Sequence, residues 1–117
     1  MMPLTVETYV AVCPVRDVLA NRGVAALVDG RAIAVFVLAD GSVAAIDNID
    51  PCSGASVLSR GIVGDVDGAW MVASPMYKHR FDLVSGRCLD AEGVAVSVHH
   101  ARVIDSVIEV RLGDPPC

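Results

Sequence analysis

The chain has 117 residues, a formal net charge of −5 and a hydrophobic content of 54%, with aromatic residues at only 4%. A chain of this length forms a single domain over 1–117 with one modest core, which Val, Ala, Ile and Leu must fill. The abundance of Val favours strands over helices. A nucleic-acid-binding surface needs clustered basic residues, whereas this sequence has no Lys/Arg run and Lys78 is its only lysine.

Membrane insertion and secretion are also disfavoured by the sequence. The longest apolar run, 32–39 (AIAVFVLA), is far shorter than the roughly 20 residues of a membrane-spanning helix. The N-terminal segment lacks the basic start of a secretory signal and carries Glu7. We therefore predict a cytoplasmic protein without a membrane span, whose four cysteines remain free thiols.

Strand patterns and turn signals alternate along the chain. Asp-Gly pairs at 29–30, 40–41 and 67–68 are typical of β-hairpin turns. The predicted strands are 5–12, 24–28, 31–38, 43–47, 61–66, 69–73, 80–83, 94–98 and 107–112. A turn or single helical turn is expected over 14–19, and no segment has a sustained helical period. The pattern predicts an all-β fold, an antiparallel β-sandwich or small barrel with little helix.

One stretch, 48–90, concentrates the Pro, Gly, Cys, His and aromatic residues. It contains two short polar loops, Asp50-Pro51-Cys52 and Ser74-Pro75-Met76-Tyr77, separated by a hairpin-like segment over 61–73. Polar side chains in such loops hydrogen-bond the local backbone. We expect the two loops to lie together at one end of the domain as a two-loop tip. The chain closes with a tail over 113–117.

The second loop is followed by Phe81-Asp82-Leu83 and the turn Ser85-Gly86. This layout resembles the Rieske iron–sulfur fold, in which a Cys and a His from each of two loops hold a [2Fe–2S] cluster. The resemblance implies a Rieske-like antiparallel β domain.

The same resemblance places the ligand positions on Asp50, Cys52, Ser74 and Tyr77, none of which is the expected residue. Asp and Ser are hard oxygen donors, poorly suited to a sulfur-rich iron cluster. We therefore expect no metal, no other cofactor and no catalytic residue in this chain.

With all four ligand positions substituted, the sequence pattern is similar to that of the small subunits of NAD(P)H-dependent assimilatory nitrite reductase. The similarity covers nearly the whole chain and is specific over 48–90. It implies a non-redox subunit of an oxidoreductase that reduces nitrite to ammonia, supporting the assembly or activity of a large subunit. The large subunit would carry FAD, a [4Fe–4S] cluster and sirohaem. The alternative is a Rieske-type [2Fe–2S] ferredoxin that transfers electrons.

A tip without a cluster can still bind the large subunit. The partner-binding candidates are Met76, Tyr77, Lys78, His79 and Arg80. Met, aromatic and Arg side chains are typical of interface cores. The competing interpretation is that Met76 and Tyr77 fill the space that a cluster would occupy.

Two chemical alternatives involve the same loops. Asp50, Cys52 and His79 could supply three ligands to zinc. Cys52 could instead be a nucleophile beside His79, since nearby basic residues favour a thiolate. Asp50 opposes that charge state and no third orienting group is evident, so an unreactive Cys52 fits the sequence better.

Two features outside the tip read as structural. His99 and His100 are adjacent, so on a strand they point to opposite faces. They are expected to be ordinary surface and half-buried residues at a strand end. Trp70 is expected to anchor packing.

Overall fold

A computed structural model describes residues 9–113. This range contains nine strands: β1 (Val10–Pro14), β2 (Arg22–Val28), β3 (Arg31–Val37), β4 (Val43–Asp47), β5 (Ile62–Val66), β6 (Ala69–Ala73), β7 (Arg80–Asp82), β8 (Val98–Ile104) and β9 (Val107–Arg111). The helical content of the described range is two 3₁₀ turns, Val15–Asp17 and Leu58–Arg60. No helix in this range is long and apolar enough to cross a membrane.

The strands form two antiparallel sheets. The larger has the order β1-β9-β8-β4-β3-β2, and the smaller has the order β5-β6-β7. The two edge strands of the larger sheet, β1 and β2, line a common groove, so this sheet curls into a nearly closed barrel. The predicted all-β antiparallel fold with little helix is confirmed.

The Asp-Gly turns build the predicted hairpins. Asp29 and Gly30 have φ of +49° and +81°, and Asp67 and Gly68 have φ of +51° and +86°. Two consecutive positive φ angles define the tight turn whose twist matches that of paired strands. These turns join β2 to β3 and β5 to β6, and the predicted β2-β3-β4 meander is confirmed.

The predicted strand over 94–98 is wrong. The strand starts only at Val98 and continues through both histidines to Ile104. The preceding residues are held by the segment after β7 instead: Cys88 N donates to Val94 O at 2.9 Å and Val96 N donates to Gly86 O at 2.8 Å. Alternating apolar residues therefore pack there without forming a ladder.

The first predicted strand, 5–12, also needs correction. Residues 5–8 lie outside the described range. Within that range β1 continues past the predicted end through Cys13 to Pro14, because Pro14 still pairs with Val107 on β9.

β3 passes through the centre of the core and is buried on both faces. Its side chains point alternately into two apolar clusters. Phe36 packs between the sheets, and Val35 packs inside the barrel. A strand buried on both faces has a continuous apolar sequence, as in 32–38. Trp70 packs against the cluster between the sheets, which confirms its predicted anchoring role.

Candidate functional site

The first loop of the tip leaves the end of β4 and is anchored by Asn48. This side chain is buried, its Oδ1 accepts the N–H of Ser59 at 2.7 Å and its Nδ2 donates to Ser56 Oγ at 2.8 Å. Buried amides need both kinds of partner, and Asn48 has them within one loop. The loop path is therefore fixed from inside.

Both loops close with the same backbone pattern. In the first, Asp50 N donates to Ala55 O at 2.8 Å and Gly54 N donates to Asp50 O at 2.7 Å. In the second, the N–H of Ser74 bonds the carbonyl five residues later at 2.8 Å, and its carbonyl accepts the N–H of Lys78 at 2.9 Å. The two loops are thus local copies of one conformation.

The side chains at the two positions expected to carry cysteines are bonded to one another. Ser74 Oγ donates to Asp50 Oδ2 at 2.5 Å, and both side chains are buried. Each also accepts from the backbone two residues onward, Asp50 from Cys52 N at 2.7 Å and Ser74 from Met76 N at 3.3 Å. We define the tip as residues 50–55 and 74–79. The predicted convergence of the two loops is confirmed by this direct bond.

The donor set does not fit a [2Fe–2S] cluster. The positions expected to carry thiolates offer a carboxylate and a hydroxyl, which are within hydrogen-bonding distance of each other rather than on either side of a cluster. The positions expected to carry histidines hold Cys52 and Tyr77, and both side chains are exposed. Rieske clusters need two thiolates and two imidazoles.

Cys52 is not activated as a nucleophile. Partial exclusion of water, and then the neighbouring Asp50 carboxylate and Cys88, raise the pKa of the Cys52 thiol above its ordinary value of 9.0. A reactive cysteine needs the opposite shift, because the thiolate is the nucleophile. The structure therefore favours the unreactive interpretation of Cys52.

The structure does not provide the zinc ligand set considered above. Within residues 9–113 no group of three or more His, Cys, Asp or Glu side chains could hold a metal ion. The Asp50 carboxylate is already engaged by Ser74 and by the Cys52 amide.

Three of the five partner-binding candidates lie on the surface of the tip. Met76 is 48% exposed, Tyr77 is 61% exposed, and Lys78 is also exposed. His79 is half-buried, and its ring packs edge-on against Tyr77 with 6.3 Å between the ring centroids. Met76 and Tyr77 therefore do not turn inward to fill the space between the loops.

The fifth candidate, Arg80, is held by a residue of its own chain. Its Nε and a terminal nitrogen donate to the two carboxylate oxygens of Asp90 at 3.0 and 2.8 Å, and its backbone N–H bonds the same carboxylate at 2.8 Å. Hydrogen bonds from Arg80 lower the pKa of Asp90 to about 2. Arg80 thus fixes the end of the second loop.

His99 and His100 differ more than the sequence suggested. His99 is buried, not half-buried, and lies within β8 rather than at its end. Its Nδ1 accepts the N–H of Gly113 at 2.9 Å, so Nε2 carries the proton that faces Asp47 Oδ1 at 2.8 Å. This arrangement is structural, whereas His100 is exposed.

Sequence reasoning missed three residues around the tip. Asp90 positions Arg80, and Arg60 and Ile62 line a hollow beside the second loop. Asp90 ends the stretch singled out above, but nothing in its spacing identified Arg80 as its partner. Ile62 stands out only in three dimensions, because it is 73% exposed on a strand edge.

Comparisons with known proteins place this tip in a family. The profile of the Rieske-like [2Fe-2S] domain matches residues 8–111. The NADH-dependent nitrite reductase small subunit of Salmonella typhimurium is 43% identical over 101 residues, covering 86% of this chain and 94% of the relative. A crystal structure described as the corresponding subunit from Mycobacterium tuberculosis has a TM-score of 0.89 at 44% identity, covering 94% of this chain and 99% of that one.

Two further matches bear on the alternatives. The large subunit of the NAD(P)H nitrite reductase of Klebsiella oxytoca is 40% identical over 93 residues, which are 80% of this chain and 10% of that protein. The ferredoxin of carbazole 1,9a-dioxygenase from Nocardioides aromaticivorans matches at a lower identity of 27%, with a TM-score of 0.75, covering 91% of this chain and 99% of that one. The nitrite reductase relatives are therefore the nearer group, in agreement with the substituted ligand positions. The chain belongs to the Rieske-like domain family and, within it, to the small subunits of NAD(P)H-dependent nitrite reductase.

Proposed function

We propose that this chain is the non-redox small subunit of a cytoplasmic nitrite reductase and that its tip binds the large subunit. The large subunit reduces nitrite to ammonia in this proposal, using FAD, a [4Fe–4S] cluster and sirohaem. The small subunit contributes a contact surface that supports assembly or activity, and carries no electron.

The observation that carries this proposal is the buried hydrogen bond between Asp50 and Ser74. It keeps the two loops together without iron, and so preserves the shape of the tip while its redox chemistry is lost. The exposed Met76 and Tyr77 lie on the same tip. Solvent-exposed apolar and aromatic side chains on a rigid support are suited to binding another protein.

The match to the Klebsiella oxytoca large subunit supports a close association. In that protein a segment like this chain makes up 10% of a single polypeptide. Because this segment and the rest of the Klebsiella oxytoca large subunit are one polypeptide, the segment works beside the rest of that protein. We infer that the separate small subunit reaches the same neighbourhood by binding.

Co-purification of the tagged large subunit with small-subunit variants tests the proposal. Tyr77→Ala combined with Lys78→Glu removes an exposed ring and reverses one charge at the tip. We expect this variant to lose most of the complex while keeping its fold, because hot-spot aromatics dominate binding energy. The matched control is Val84→Ala with Arg87→Glu, which makes the same kinds of change at the exposed turn after β7.

Thermal unfolding and far-ultraviolet circular dichroism of both variants check that each is folded. A tip variant that still co-purifies like the wild type, or a control variant that is lost equally, would contradict docking through the tip.

A further inference from the structure

A hollow of about 260 Å³ lies at one side of the tip, where the second loop meets the start of β5. Its lining includes Arg60, Ile62, Pro75 and Lys78. Ile62 is the first residue of β5, the edge strand of the smaller sheet, and is 73% exposed. The hollow therefore combines an apolar wall with two basic side chains.

The two basic side chains have no acidic partner among the residues that the structure describes. Arg60 and Lys78 are exposed and make neither an ion pair nor a side-chain hydrogen bond there. Arg31, Arg80 and Arg102, in contrast, are each paired with a carboxylate. Arg16, Arg22 and Arg87 also make no ion pair among the described residues, but Arg60 and Lys78 differ from them in lining the same hollow.

Lys78 is also held in an unusual backbone conformation. Its φ is +60°, the left-handed region, and the equivalent position of the first loop holds a glycine, Gly54, at φ +77°. Glycine adopts this conformation without steric cost and lysine does not. Backbone strain of this kind clusters at functional sites, and the Lys78 side chain stands at the hollow.

We propose that the hollow binds an acidic segment of the large subunit, with an Asp or Glu side chain between Arg60 and Lys78 and an apolar neighbour against Ile62. Charge complementarity selects this occupant, because a carboxylate satisfies both cations at once. The inference rests on the proposed function and deepens it, since it specifies the chemistry by which the large subunit is recognised.

Zero-length carbodiimide cross-linking of the wild-type complex tests this contact directly. The reagent joins an amine to a carboxylate in contact with it, and Lys78 is the only lysine of the chain. We expect mass spectrometry to identify a peptide in which Lys78 is joined to an Asp or Glu of the large subunit. Lys78→Arg keeps the charge and should keep the complex while losing that cross-link. Arg60→Lys in the Lys78→Arg background should restore a cross-link at position 60.

Binding measurements provide the second arm. Arg60→Glu together with Lys78→Glu should raise the Kd for the large subunit by about tenfold or more, and the loss should shrink at high salt. The control, Arg16→Glu with Arg87→Glu, has the same net charge and should bind within about threefold of the wild type, allowing for altered long-range steering.

The outcomes separate the two proposals. The single variant Tyr77→Ala tests the tip without changing Lys78. If this variant weakens binding, while Arg60→Glu with Lys78→Glu binds like its control and Lys78 gives no cross-link to the large subunit, the hollow is not the acidic contact. The tip proposal then still stands. If neither variant weakens a complex that the wild type forms, both proposals are wrong. Absence of any complex with the wild-type chain overturns the proposed function and this inference with it.

Discussion

Ser74 Oγ donates a hydrogen bond to Asp50 Oδ2 at 2.5 Å across 24 residues of sequence, and this bond joins the two loops of the tip. Both residues stand at positions where the resemblance to the Rieske fold implies iron-binding cysteines. Each keeps a bond from the backbone N–H two residues onward, at 2.7 Å for Asp50 and 3.3 Å for Ser74. The loop conformation is therefore supported by side-chain oxygens in place of a cluster.

The first prediction concerns the stability that this bond contributes. Ser74→Ala leaves the buried Asp50 carboxylate with the backbone N–H of Cys52 in place of two hydrogen-bond donors. We expect the free energy of unfolding to fall by about 2–3 kcal/mol. Urea denaturation of both proteins measures the difference. Ser85→Ala, which removes only a solvent-exposed hydrogen bond from Arg87 N at 3.2 Å, is the control and should change stability by less than about 1 kcal/mol. Equal stability of Ser74→Ala and the control would show that the bond does not hold the loops together.

The second prediction concerns iron. Purified wild-type chain should contain no stoichiometric iron or acid-labile sulfide and should show no visible absorbance, because its donors do not suit a cluster. Asp50→Cys, Cys52→His, Ser74→Cys and Tyr77→His in one chain restore the expected donors in an unchanged loop frame. Anaerobic reconstitution with iron and sulfide should then give a coloured protein.

The same variant with Ser74 retained is the control for that experiment, since it lacks one thiolate and should stay colourless. Brown wild-type protein containing iron and sulfide would contradict the cluster-free account and restore the ferredoxin alternative.

The third prediction concerns the pH dependence of the second loop. Arg80 holds the pKa of Asp90 at about 2, below the ordinary value of 3.8. Because the folded-state pKa is depressed, the pair stabilises the folded chain above pH 3.8 and loses that effect as the pH falls towards 2. The wild type should therefore exceed Asp90→Asn in stability at neutral pH, and the two should converge near pH 2.

Urea midpoints measured from pH 7 down to pH 2 test this directly. The difference at neutral pH should be modest, since the pair is solvent-exposed and screened. A constant difference over the whole range would mean that ionisation of Asp90 is not its cause.

The fourth prediction concerns Lys78 and its backbone. Lys78→Gly should raise the free energy of unfolding by about 1 kcal/mol, because glycine relieves the left-handed strain at φ +60°. The same change should weaken binding to the large subunit, since it removes a cation. Lys78→Arg should leave both quantities close to the wild type. A glycine variant that is less stable than the wild type would contradict the strain argument.

Local sequence signals predicted the hairpins well. Asp29-Gly30 and Asp67-Gly68 determine their turns within two residues, and the strands they join pair as expected. The polar loops around Pro51 and Pro75 were likewise identified from residues that break strand patterning. Such features are encoded by neighbouring residues, so they can be read without the tertiary structure.

Contacts between distant residues could not be read in the same way. The alternating Val residues over 94–98 predicted a strand, but this segment bonds the loop after β7, and the ladder starts at Val98. The burial of His99 depends on Asp47, 52 residues earlier, and on Gly113. The hollow at Arg60 and Lys78 likewise exists only because the 3₁₀ turn that ends at Arg60 meets the second loop, which lies later in the chain.

The most direct measurement of the central claim is hydrogen–deuterium exchange of the small subunit, alone and bound to the purified large subunit. If the tip is the contact surface, peptides covering 50–55 and 74–80 should exchange more slowly in the complex. The β8–β9 turn at 105–106 should exchange equally in both states. Slower exchange only at that turn or in the edge strands β1 and β2, with the exchange of the tip peptides unchanged, would contradict docking through the tip.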